Sequence, residues 1–483
     1  MSKRPRMDKV RAYVDESATG KVTPPDPAAY PALDEVLERT AKSASQGTAI
    51  ELDVVLKDVM TQSPISPEDG TLPTALIVAA RRHDQTYGAN RFVQRSLPTM
   101  VRAAKQYHAL FPDGIPIVNP LLSLRDSEET FLTRTTTFTK LQCLSIISNA
   151  FLCLFPRPSS NCMGPAGGLP SINYDEMHYA HVPEGQNSVE VAKLEMVLEY
   201  FDEMTDRLAQ DDPKLADPKH SIAFQRRGVR LSDTMSKPLL PLKLHPMKVS
   251  IDDQKAMIRA DFANRLIGGG AIAYGCVQEE IMFSICPELV VSRLFYPEME
   301  VNEAIVIVGS EQFAKVKEGT YAFSLAHGGK FSEASDAPRS IITCIDAMDY
   351  RYGGTKRQWE AENIHREVLK AFAGFNVTSE HFPGVDVPKE VATGNWGCGA
   401  FLGHLQLKAV LQWIACSLCG KEMNYFPFNE TVLENLQLLG DRLVGWNISA
   451  TQLYNDLVSG DVFSTQGPDL FAKLLNFYKA KGG

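Results

Sequence analysis

Residues 257–283 read Met-Ile-Arg-Ala-Asp-Phe-Ala-Asn-Arg-Leu-Ile-Gly-Gly-Gly-Ala-Ile-Ala-Tyr-Gly-Cys-Val-Gln-Glu-Glu-Ile-Met-Phe, and no other stretch limits the fold of this chain as much. A strand-like apolar run (Met257, Ile258, Phe262) leads to Asp261 and Asn264, and three glycines follow at Gly268, Gly269 and Gly270. Residues without side chains let a ligand approach the main chain and accept φ > 0 at little cost. Beyond a short spacer comes Gln278-Glu279-Glu280, set between Val277 and Ile281. Carboxyls among apolar neighbours are where a raised pKa and general-acid chemistry arise. Alone, a glycine triplet is usually a flexible loop and a Glu pair usually solvated helix surface. The apolar flanks weaken the second reading, and the combination says more than either part. Adjacent residues point to opposite faces of a strand and about 100° apart on a helix, so Glu279 and Glu280 do not reach one atom in the same way. Glycosidases place an acid/base pair roughly 5–9.5 Å apart across the sugar. The expectation is therefore one working carboxylate and one that fixes substrate hydroxyls.

The glycine triplet, short spacer and Gln-Glu-Glu resemble the pattern of the poly(ADP-ribose) glycohydrolases, macrodomain-based enzymes that dismantle poly(ADP-ribose). The likeness covers roughly residues 140–430. Asp261-Phe-Ala-Asn264 precedes the triplet, and Asn149-Ala-Phe151 with Phe155-Pro156 lies upstream. Pro287-Glu288-Leu289, Ser292-Arg293-Leu294-Phe295, Glu311-Gln312, Ile345-Asp346-Ala347 and Ala392-Thr-Gly-Asn395-Trp-Gly-Cys-Gly-Ala-Phe401 follow in order.

The resemblance implies hydrolysis of ribose–ribose O-glycosidic bonds in poly(ADP-ribose), with ADP-ribose as product, poly(ADP-ribosyl)ated proteins as carriers of the substrate, and no cofactor or metal. It implies that Glu280 protonates the departing ribose oxygen and then deprotonates water, while Glu279, Asn264 and Asp261 hold ribose hydroxyls. Tyr321 resembles the family's adenine-stacking tyrosine, although its spacing from Glu311-Gln312 differs slightly and Tyr274 lies closer to the carboxyls. Phe401 and Phe428 resemble aromatics lining the nucleotide cleft. Gln278 completes the triplet, and Ile267 and Val277 are expected to keep the site dry. For the diphosphate, Asn395, Gly397, Cys398, Gly399 and Ala400 form a glycine-rich turn before a helix expected from about residue 402. Bare amides and a helix N-terminus make an anion site that needs no lysine. Two rival functions stand beside this one: a binding macrodomain without activity, and a metal-dependent pyrophosphohydrolase.

A net charge of −9 argues against coating a nucleic acid, which relies on many Lys and Arg. Nine scattered cysteines fit reduced thiols in an intracellular setting, nucleus or cytoplasm. The solitary Cys416/Cys419 and His178/His181 pairs read as structural rather than metal-binding. Lys3-Arg4-Pro5-Arg6 is a weak basic targeting signal, Leu141–Phe155 is too short and polar to span a membrane, and a monomer is expected.

The expected fold is α/β: a macrodomain-like three-layer α/β/α catalytic domain behind an all-helical accessory domain. Residues 1–48 read as an irregular, Pro-rich lead-in, 49–187 as the helical domain with a breaker-rich connector over 157–187, and 188–483 as the catalytic domain. Within the last, 211–246 reads as irregular and Lys248–Ile251 as a strand. Ala256–Phe262, Ala304–Val308 and Ser340–Ile345 read as further strands.

Overall fold

The structure is a computed structural model that describes residues 20–67, 71–121, 131–157, 168–183, 188–230, 237–332 and 337–482. The longer helices of the first half, among the described residues, are α1 (Tyr30–Ser45), α2 (Leu52–Met60), α3 (Thr74–Tyr87), α4 (Leu97–Lys105), α5 (Lys140–Phe151) and α6 (Val189–Ala209). Helix α5 starts with a reciprocal cap, in which the Thr139 hydroxyl accepts from the Gln142 amide and the Gln142 side chain accepts from the Thr139 amide. In α6, Ser188 caps the amide of Val191 and the apolar residues recur at helical spacing.

The second half alternates strand and helix around one sheet. Its strands are β1 (Phe131–Phe138), β2 (Ile222–Val229), β3 (Leu242–Leu244), β4 (Ile258–Asp261), β5 (Glu303–Val308), β8 (Ile341–Cys344), β9 (Glu390–Gly394) and β10 (Glu422–Phe426), and β6 (Ala314–Val316) pairs with β7 (His327–Lys330) in a separate hairpin. The sheet order is β1-β2-β5-β8-β4-β9-β10-β3, antiparallel from β1 to β8 and parallel from β8 to β3. Helix α7 (Gln278–Ile285) follows β4; α8 (Ala361–Phe375) and α9 (Leu405–Leu418) pack on the opposite face, with α10 (Leu436–Gly445), α11 (Ala450–Ser459) and α12 (Leu470–Ala480) outside them. Strand β5 shows the layering: Ile305 and Ile307 join the core shared with the helical half, while Ala304, Val306 and Val308 join the core under α8 and α9. Among the described residues no helix is long and apolar enough to cross a membrane.

Four expectations need correcting. Residues 1–19, including Lys3–Arg6, lie outside the described residues, but 30–45 form a helix rather than an irregular lead-in. Pro31 sits in its first turn, where a proline costs no hydrogen bond, and Tyr30, Leu33, Val36 and Thr40 line its buried stripe. The half expected to be all-helical contributes strand β1, whose threonine-rich sequence pairs with β2 over eight residues. The segment 211–246 is not irregular throughout, since it holds β2 and β3. Gln225-Arg226-Arg227 gives β2 a surface-like sequence, yet all three residues are buried, and Arg226 bonds Glu303 at 2.5 Å. Lys248–Ile251 forms no strand and belongs to a turn before β4. Of the connector, 158–167 and 184–187 lie outside the described residues.

Candidate active site

Strands β4, β9 and β10 are neighbours and parallel, so their carboxyl ends open on one edge of the sheet, where open α/β sheets bind ligands. Asp261 ends β4, Gly394 ends β9 ahead of Asn395–Phe401, and Phe426 ends β10 ahead of Phe428. The segments touch: a Cβ on Gly394 would stand 3.6 Å from the Phe262 ring, and Asn395 donates to Pro427 O at 2.8 Å while accepting from the Tyr425 hydroxyl.

The glycine turn folds back over the start of α7. Each carboxylate there is gripped by two main-chain amides. Glu279 accepts from Gly268 at 2.6 Å and Asn264 at 2.8 Å; Glu280 accepts from Gly270 and from Val277, both at 3.0 Å. Gly269, at φ +41°, lies between them, and a Cβ there would sit 2.7 Å from Glu280 Oε1 and 2.8 Å from Glu279 Oε2. Two adjacent side chains thus reach separate amide pairs while opening on one small volume. Arg293 secures the turn from behind, donating to Gly269 O at 2.8 Å and Ile267 O at 3.2 Å. Gln278 faces the strand: its amide donates to Ala260 O and accepts from Phe262 N, which fastens α7 to the end of β4.

Three carboxyls meet here. Burial above all, then the charges of Asp261 and Glu280, push Glu279 well above the usual range against the pull of its two amide bonds. Asp261 is raised to about 8, chiefly by burial, with Glu280 adding to it. Its oxygens have no conventional partner, and the neighbouring Cys344 thiol is a weak donor. Like charges this deep do not all ionise together, so the cluster retains protons near neutrality. Glu279 is 2% exposed and Glu280 8%, which leaves Glu280 nearer the opening.

The other expected site residues divide. Asn264 is exposed at the turn's mouth and its side chain caps Leu266. Tyr321 sits against Phe428 with ring centroids 4.7 Å apart, and its hydroxyl reaches the Gln278 amide. Ile267 is buried as expected, but Val277 is 45% exposed and does not seal the site. It occupies the position before the first turn of α7, where its side chain projects past the helix end. Tyr274 is 80% exposed. In the 393–401 segment Trp396 anchors to Ile345 O, Cys398 is partly buried, and Phe401 lies under the Arg351 guanidinium. Among the described residues, the amides of Gly397, Gly399 and Ala400 donate to no protein acceptor. The following helix begins at Leu405 rather than at 402, with the His404 ring accepting from Leu407 N. Phe323 is 88% exposed on the turn after Tyr321. Among the described residues no group of three or more His, Cys, Asp or Glu has the geometry to hold a metal ion.

Comparison with known proteins gives matches in both halves. Residues 85–226 match the family model described as poly(ADP-ribose) glycohydrolase, helical domain, and residues 230–435 match the companion model described as its macro domain fold. Poly(ADP-ribose) glycohydrolase 1 of Arabidopsis thaliana is 28% identical over 383 residues, covering 65% of this chain and 66% of the relative. Poly(ADP-ribose) glycohydrolase 2 of Caenorhabditis elegans is 29% identical over 317 residues, covering 62% and 58%. The aligned region thus spans about two thirds of the plant relative and less of the nematode one. With a helical domain and a macro-fold domain matched in sequence order, and the glycine turn folded over its paired carboxyls, the chain belongs to the poly(ADP-ribose) glycohydrolase family.

Proposed function

We propose that this protein hydrolyses the ribose–ribose O-glycosidic bonds of poly(ADP-ribose), including polymer carried on modified proteins, and releases ADP-ribose. The observation that carries the reading is the pair of buried carboxyls, each held by two main-chain amides, at the edge formed by β4, β9 and β10. Glu280, nearer the opening, gives its proton to the departing ribose oxygen as the glycosidic bond breaks. The carboxylate left behind faces the positive charge that grows on the other ribose. Water then adds to that ribose and returns a proton to Glu280. Glu279 lies deeper and keeps its proton, so it can donate to a ribose hydroxyl, with Asn264 at the mouth and Asp261 beneath. The amides of Gly397, Gly399 and Ala400 suit the diphosphate, and Tyr321 with Phe428 offers aromatic surface for adenine.

Incubating the purified chain with poly(ADP-ribose), with and without EDTA, tests this. ADP-ribose should accumulate equally in both; AMP as product, or turnover abolished by EDTA, would point to pyrophosphate cleavage and overturn the reading. Glu280→Gln should lose roughly a hundredfold or more in rate while still binding ADP-ribose, and an unchanged rate would remove Glu280 from its role.

A further inference from the structure

Helix α6 carries Lys193, which is wholly buried and ends on three main-chain carbonyls of the glycine turn: Gly270 O at 3.2 Å, Ala273 O at 2.5 Å and Gly275 O at 2.7 Å. Three acceptors satisfy all three ammonium N–H bonds. Among the described residues no carboxylate bonds this ammonium directly, so its charge is left to act through the turn. Burial draws Lys193 down to about 8, which still leaves it charged at neutrality; Glu280 is the foremost opposing influence, ahead of Glu190 and Cys276, while Arg293 adds to the lowering.

The peptide units that Lys193 grips are those that shape the surroundings of Glu280. Gly270 turns its carbonyl to Lys193 and its amide to Glu280 Oε1. Gly275 turns its carbonyl to Lys193, and its bare Cα lies so close to Glu280 that a Cβ would fall 2.6 Å from Cγ. Peptide dipoles therefore lie between ammonium and carboxyl, and one side chain sets both the place of the turn and the potential at the carboxyl. The charged groups around Glu280 are Lys193 from α6, Arg293 from the segment after α7, Asp261 from β4, and Glu279 beside it.

We propose that Lys193, supplied by the helical domain, is a positioning residue for Glu280, fixing the Gly270–Gly275 turn against it. The inference rests on the glycohydrolase reading and makes the helical domain a working part of the catalytic centre. The test compares full-length wild type, Lys193→Met and Lys193→Arg for ADP-ribose release, corrected for the folded fraction from thermal melts. Lys193→Met should lower kcat roughly ten- to hundredfold, the scale of losing a residue that orients a reacting group, with KM little changed. Lys193→Arg, which keeps the charge and the donors, should recover most of the lost kcat. A Lys193→Met protein with wild-type kcat, a loss that only tracks unfolding or falls on KM instead of kcat, or an arginine variant no more active than the methionine one would each overturn the inference. Should Lys193→Met not fold, Lys193→Gln is read the same way. A wild type that releases no ADP-ribose overturns the glycohydrolase reading instead.

Discussion

A methyl group on Gly269 would press on the carboxyls of Glu279 and Glu280 at once, in a backbone conformation that side chains seldom adopt. Gly269→Ala is therefore expected to lower kcat about a hundredfold or more, the scale on which a 1 Å displacement of reacting groups acts, with a far smaller change in melting temperature. Comparable losses of both would show that the turn matters for folding instead. Asp261 makes a different prediction, through its proton. Its carboxyl titrates near 3.8 when unperturbed and near 8 in the fold. The stability that goes with that retained proton is complete below the lower value and drains away as the pH rises through the upper one. Asp261→Asn never ionises, so the wild type should lose stability relative to it between pH 5 and pH 8. Paired melts at the two values check this, and a gap that does not change with pH would mean the carboxyl is not held protonated.

Single elements explain what the sequence discloses and what it conceals. Strands β5 and β8 are short, rich in β-branched residues and buried on both faces, so composition alone marks them. Strand β2 is hidden because its charged residues read as surface, whereas the buried Arg226 is held by Glu303 and by carbonyls far along the chain. Helix α1 is hidden because its prolines read as breakers although they begin it. The site divides in the same way. The bonds that hold Glu279 and Glu280 all come from residues 264–277, so one contiguous stretch exposes them to sequence reasoning. Lys193 stands about eighty positions from the turn it grips, and within an amphipathic helix it reads as an ordinary surface lysine. The element carrying Tyr321 also yields a prediction. Because its ring meets Phe428 rather than the carboxyls, Tyr321→Ala should weaken ADP-ribose binding, measured by calorimetry, more than it lowers kcat; an unaltered affinity would assign the stacking surface to another ring.

At the scale of the whole molecule, the two halves share a sheet. The span matched as the helical domain supplies β1 and most of β2, and the antiparallel ladder runs on from β2 into β5 of the macro fold. Helix α6 packs on α3 on one side and on α7 on the other. Deleting residues 1–187 strips β1 from β2, exposing a long strand edge and the apolar surface beneath it, so the fragment should be insoluble on expression. A soluble fragment that still releases ADP-ribose would show that the second half stands alone. The carbonyl grip of Lys193 on the Gly270–Gly275 turn carries one more consequence. If the seam between the halves loosens, the glycine turn loses its Lys193 anchor and is left to Arg293 alone, so a molecule that has begun to come apart would lose the geometry around Glu280 with much of its interior still covered.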